Sequence, residues 1–220
     1  MAMTYVTRSA GFLPLLLLLA SPALAQTAAD SGTFVVSHSG DTVATETFSR
    51  GETSIRGTLA LNNSKRTFHR YTAVLAPDAS VPMIDVAVRE DADSGRVKAR
   101  LVQRARVIFR EDSAAVDAII GQSIETRVFG TQVGAIPYLN MSFALLEQAI
   151  RRSRAASATP GQVPFFNLGG GQTVNGTLKS VGSDSMALAI GDVEFRLRVD
   201  PEGRVLGGAI PKQDVVVDRR

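Results

Sequence analysis

The chain has 220 residues, is 45% hydrophobic and 20% charged, and carries a formal net charge of +3. That is ordinary globular composition with a slight arginine excess, short of the basic balance that marks a nucleic-acid binder. Cysteine is absent, which excludes disulfides, thiol nucleophiles, cysteine-type zinc sites and a lipidated cysteine. Tryptophan is absent and aromatics make up 6%, which argues against a platform that stacks sugars or bases.

The N-terminus reads as a targeting segment. Arg8 lies in a short polar lead, an apolar run spans Phe12 to Ala20, and Ala23-Leu24-Ala25 is the small-x-small pattern of a signal peptidase site. The run is too short to span a bilayer. A signal peptide over 1–25 is therefore expected, with the chain then periplasmic or secreted. No second long apolar run occurs, so no transmembrane segment is expected after cleavage. Residues 26–32 are small and polar and are expected to form a flexible lead-in. Residues 33–218 are expected to form one β-rich domain.

Along that domain, short alternating runs are punctuated by turn residues. Thr33 to Ser37 and Val43 to Ser49 flank Gly40-Asp41 and predict a first hairpin. Thr53 to Leu61, Thr67 to Leu75 and Met83 to Val88 continue the pattern, separated by Asn62-Asn63-Ser64 and Pro77-Asp78. Arg96 to Arg110 predicts a long strand. Val97, Ala99, Leu101, Ala105, Val107 and Phe109 share one face, and Lys98, Arg100, Arg104, Arg106 and Arg110 share the other. Ser123 to Phe129 is the next predicted strand.

Pro137 to Arg154 is the one segment after the leader that reads as a helix. Pro137 suits a first turn, and Leu139, Phe143, Leu146 and Ile150 recur at helical spacing. Arg151, Arg152 and Arg154 complement the C-terminal carbonyls, and Glu147 precedes Arg151 by four residues as a surface pair. Beyond it, Val163 to Phe166, Thr173 to Lys179, Met186 to Ile190, Val193 to Val199 and Val205 to Ile210 predict strands. Gly191-Asp192 and Asp200-Pro201-Glu202-Gly203 are hairpin turns. One amphipathic helix among many strands covers the apolar face of a curved sheet, so the expected class is α+β, mainly β.

No motif carries catalysis. Gly169 to Gly171 lacks the Lys-Ser/Thr pair and the following helix of a phosphate loop. His38 and His69 lack the helical pairing of a zinc site, and no Gly-x-Ser-x-Gly elbow is present. The carboxylates are scattered among turns. No catalytic residue, metal ligand or cofactor is assigned.

Several segments together resemble a known layout. These are the late Ile136-Pro137-Tyr138-Leu139, the stretch from Gly191 to Phe195, and the stretch from Val199 to Leu206. They resemble uncharacterised exported bacterial proteins similar in layout to the half-barrel lipoprotein carriers of the Lol system. The resemblance implies a strongly curved antiparallel sheet wrapped around a helix and an apolar cavity.

Three functional expectations follow. The first is a non-enzymatic exported bacterial envelope protein that holds a lipid or other hydrophobic small molecule between sheet and helix, lined by Leu59, Leu61, Leu101, Phe109, Phe143, Leu146 and Ile150. The second is a structural or interaction module with a filled core, whose basic face (Lys98, Arg100, Arg104, Arg106, Arg110) meets an anionic envelope component. The third is a hydrolase that uses His69 or a carboxylate pair. The volume between sheet and helix separates the first two.

Overall fold

A computed structural model describes residues 30–91, 100–120, 122–155 and 161–220. The expected signal peptide and Lys98 lie outside the described residues.

The first arm of the fold is an antiparallel meander. It contains β1 (Asp30–His38), β2 (Asp41–Arg50), β3 (Ser54–Leu61), β4 (Thr67–Val74), β5 (Met83–Glu90), β6 (Arg100–Phe109), β7 (Ser113–Ile120) and β8 (Ser123–Gly130). A short β9 (Ile136–Tyr138) leads to the helix α1 (Phe143–Ala155). The second arm contains β10 (Gln162–Asn167), β11 (Thr173–Ser180), β12 (Ser185–Ile190), β13 (Val193–Val199), β14 (Val205–Ile210) and β15 (Val215–Arg219). All fifteen strands form one sheet in the order 8-7-6-5-4-3-2-1-15-14-13-12-11-10-9. Within each arm, strands that are neighbours in sequence pair with one another. The pairing of β1 with β15, Phe34 opposite Arg219 through His38 opposite Val215, joins the two arms. Only β9 runs parallel to its neighbour, with Ile136 opposite Phe165.

The sheet curls around α1 without closing. Its two ends meet through side chains: Phe129 and Phe109 lie 6.0 and 5.5 Å from the Phe166 ring, and the hydroxyls of Thr131 and Thr173 are 2.7 Å apart. The core lies on the concave face, where Phe34 stacks on Phe48 at 5.4 Å and meets Phe143 at 5.8 Å. The expected α+β half-barrel is the observed architecture.

Four local expectations are corrected. Pro137 does not open the helix but sits in β9. Met141 takes a left-handed φ of 65°, which breaks any helical run through it. Ser142 is the cap, its Oγ accepting the Leu145 amide at 3.4 Å. A strand missing from the sequence reading, β7, is built from Ser113-Ala-Ala-Val-Asp-Ala-Ile-Ile, whose alanines carry little β preference. Asp30 to Gly32 of the expected lead-in belong to β1, and Gly32 pairs with Phe48. Finally, α1 is not a surface helix, because every residue from Ser142 to Ile150 is buried. It is a plug, polar side chains included.

Candidate functional site

A plug buried on all sides has polar groups to satisfy, and β2 supplies them. Along β2, Ala44, Glu46, Phe48 and Arg50 share the inward face by period-two alternation. Glu46 is fully buried at the N-terminus of α1. One of its oxygens accepts the amides of Phe143 and Ala144 at 2.7 and 3.0 Å. The other accepts the hydroxyls of Tyr71 at 2.6 Å and Ser142 at 2.5 Å. Free amides and the positive end of the helix dipole make this an anion site, and the protein fills it with its own carboxylate. Burial pushes the Glu46 carboxyl above its ordinary range, against the lowering effect of these four donors. Burial, with Glu46 beside it, also pushes the Tyr71 phenol well up.

One turn later Glu147 is the hub of a second network. It bonds Arg50, whose other nitrogen donates to the Ala144 carbonyl at 2.7 Å. Glu147 also accepts from Arg151 at 3.0 Å, Arg219 at 3.1 Å and the Val205 amide at 2.8 Å. Asp30 completes the set, taking Arg151 at 2.8 Å and Arg219 at 2.6 Å. The pairing of Glu147 with Arg151 is therefore part of an interior cluster, not the expected surface pair. Arg50 and Glu147 are buried while Asp30, Arg151 and Arg219 reach the surface in part, and among the described residues Arg50 Nε has no partner. Ser142 and Tyr71 spend their hydroxyls on Glu46, so the networks lock helix to sheet.

An apolar opening lies elsewhere on the concave face, over the middle strands of the first arm. There β4, β5 and β6 present His69, Val86, Val88, Gln103, Ala105 and Val107. Leu139, from the link between β9 and α1, and Leu168 and Gly169, after β10, form the opposite wall of a cleft of about 150 Å³. That wall is pinned by the Leu168 amide, which donates to the Tyr138 carbonyl at 3.1 Å. Most of the lining is apolar. His69 and Gln103 are the polar side chains, and His69 Nδ1 is buried with no partner among the described residues. Burial holds the His69 pKa below its ordinary value, which favours the neutral ring. The cleft gathers no nucleophile beside His69, and no cluster of metal-ligating side chains occurs among the described residues.

The residues expected to line a ligand site fall into three groups. Leu59, Phe143, Leu146 and Ile150 are packed core, all at most 3% exposed. Leu61 and Phe109 are partly buried against that core. Leu101 belongs to the opposite face. A bulge in β6 pairs Val88 with Gln103 but Arg89 with Leu101. The extra residue, Val102, reverses the alternation. Leu101 is 49% exposed and borders an outer groove with Arg89 and Arg104.

The same bulge breaks the expected basic stripe. Arg100 pairs opposite Glu90, on the other side of the irregularity from Arg104 and Arg106. Arg106 grips Asp85 with two nitrogens at 3.1 and 3.3 Å, and Arg104 lies 3.9 Å from the same carboxylate. Arg110 is exposed just beyond the strand. Asp85 therefore neutralises part of this face.

The residues that surround the cleft were missed, His69 apart, because their alternation is indistinguishable from that of a packed face. For Glu46 and Arg50 a signal existed: two charged residues on the apolar side of a strand.

Neither a protein-family model nor a curated protein matches the chain. Two solved structures share its fold. A DUF1089 family protein from Pseudomonas aeruginosa is 10% identical, with a TM-score of 0.53 over 75% of this chain and 88% of that one. A β-barrel-like protein of the domain of unknown function DUF1849 from Brucella abortus is 10% identical, with a TM-score of 0.51 over 87% of this chain and 95% of that one. The chain thus shares the fold of these two proteins, the second of which is described as β-barrel-like.

Proposed function

We propose that this chain is an exported, non-enzymatic bacterial envelope protein that binds an apolar group in the cleft between β4–β6 and the loops beside α1. The observation that carries the reading is an apolar cleft beside a filled core, with an unpartnered histidine nitrogen in its wall. The signal-peptide pattern of residues 1–25 supports export, and a sheet wrapped around a helix is the arrangement that the resemblance to the Lol-type carriers implies.

The size restricts the ligand. An apolar cavity of about 150 Å³ accommodates one benzene-sized molecule. The cleft therefore takes a ring or a short alkyl segment, with the remainder of a larger ligand outside. The His69 ring supplies one hydrogen bond to a polar atom on that ligand.

Lipid extraction and native mass spectrometry of protein purified from a bacterial periplasm test this directly. A co-purifying hydrophobic molecule that is lost in Ala105→Leu is the expected result. A bare mass, with no thermal shift across a panel of fatty acids and single-ring hydrocarbons, would sink the reading.

The interaction-module reading draws support from a different observation. Phe143, Leu146 and Ile150 leave no space at the helix itself, so most of the concave face is structural.

A further inference from the structure

The two ends of the sheet are guarded unequally. At one end β9 is three residues long, contains Pro137, and has Ile136 and Pro137 buried. Shortness, proline and cover are the ordinary protections of a sheet edge. At the other end β8 is eight residues long and exposed over most of its length. Ile124 and Val128 are 69% and 70% exposed, and among the described residues β8 forms a backbone ladder only with β7.

The residues on this edge are self-complementary in a single register. Ser123 pairs with Ile120 across a two-residue connection, so Ser123, Glu125 and Arg127 exchange backbone hydrogen bonds with β7. Ile124, Thr126 and Val128 therefore turn their amides and carbonyls outward. A second antiparallel copy centred on Thr126 uses those outward groups. It sets Ile124 opposite Val128 and Glu125 opposite Arg127. Moving the centre by one residue in either direction sets Glu125 against Glu125 or Arg127 against Arg127, which repels. Within one chain Arg127 and Glu125 already lie 2.8 Å apart, so the second copy would complete an alternating set of four charges.

We propose that β8 is a homodimerisation edge, on which two copies of this chain pair antiparallel about a two-fold axis at Thr126 and continue the sheet from one molecule into the next. The contact is isologous and closes on itself. Its area is small, which makes the dimer weak and concentration-dependent.

Sedimentation velocity of the purified protein over a range of concentrations tests this. The variants are Glu125→Arg, Arg127→Glu, the double reversal and Thr126→Pro. Glu125 and Arg127 are exposed, so the reversals leave the fold intact, with far-UV circular dichroism as the check. Each single reversal is expected to weaken dimerisation by about tenfold or more. The double reversal is expected to restore it. Thr126→Pro removes an outward amide that β7 does not use and is expected to abolish the dimer. A chain that stays monomeric to its solubility limit, a dimer indifferent to both single reversals, or a monomer that instead captures a strand of another protein would overturn self-pairing.

Discussion

The two halves of the concave face use opposite means of filling space. Around α1 the face is crowded, with aromatic rings, two networked carboxylates and no opening. Around β4 to β6 it is lined by valine, alanine and one histidine, and a loop lies across it without filling it. The crowded half carries buried charge, which is tolerated only when every charge is paired and hydrogen-bonded. The open half carries almost none, so an unfilled space there costs little and can accept a guest. Stability therefore rests on the first half and the proposed binding on the second, and substitutions should separate them.

The largest effect is expected at the hub. Glu147→Ala leaves Arg50 and Arg219 without their central partner, and removing one member of a buried ion cluster costs about 3–5 kcal/mol. Denaturant unfolding measures it, and a loss within the range of ordinary surface substitutions would refute the assignment. Glu46→Gln comes next. The Gln oxygen still accepts the Phe143 and Ala144 amides, more weakly than a carboxylate does, but its nitrogen faces the Tyr71 and Ser142 hydroxyls, whose buried hydrogens lose their acceptor at a cost of about 1–3 kcal/mol. Hydrogen exchange of those two amides should accelerate, while the amides of β5 and β6 should change little.

The opposite sign is expected in the open half. Ala105→Leu fills the cleft, and filling a cavity commonly adds about 0.5–2 kcal/mol. Apolar ligand binding should disappear as stability rises. If ligand binding survived that substitution, the cleft would not be the site.

The smallest effect is a pH dependence. Burial depresses the His69 pKa in the folded state below its ordinary 6.5. The unfolded chain then binds its proton first as pH falls, so stability drops as pH goes from about 6.5 down through the depressed native value. Above that window His69 contributes no slope. His69→Gln should flatten this part of the stability curve, which thermal unfolding at a series of pH values would reveal.

Much of the architecture was legible locally. The hairpins at Gly191-Asp192 and Asp200 to Gly203 follow from turn residues between alternating runs, a signal contained in a few positions. The existence of one helix over Phe143 to Arg154 follows from its apolar spacing. Its start did not, because Pro137 is equally suited to a helix N-terminus and to an edge strand, and the contact with β10 decides between them. β7 was hidden because alanine gives a weak pattern, although its neighbours β6 and β8 hold it firmly. The face assignment of β6 failed at Leu101 and Arg100, because a bulge depends on the partner strand.

The amino-acid sequence by itself determined the β-rich class, the single helix, the absence of cysteine chemistry and most turns, all consequences of composition and short-range periodicity. Only the tertiary structure decided which polar residues became interior. The joining of β1 to β15 brings Asp30 beside Arg219, and the helix placed between the two arms turns Glu46, Arg50 and Glu147 into its anchors. Those meetings span most of the chain. Local alternation states which face of a strand a residue occupies, but only the completed curve of the sheet states what that face encloses.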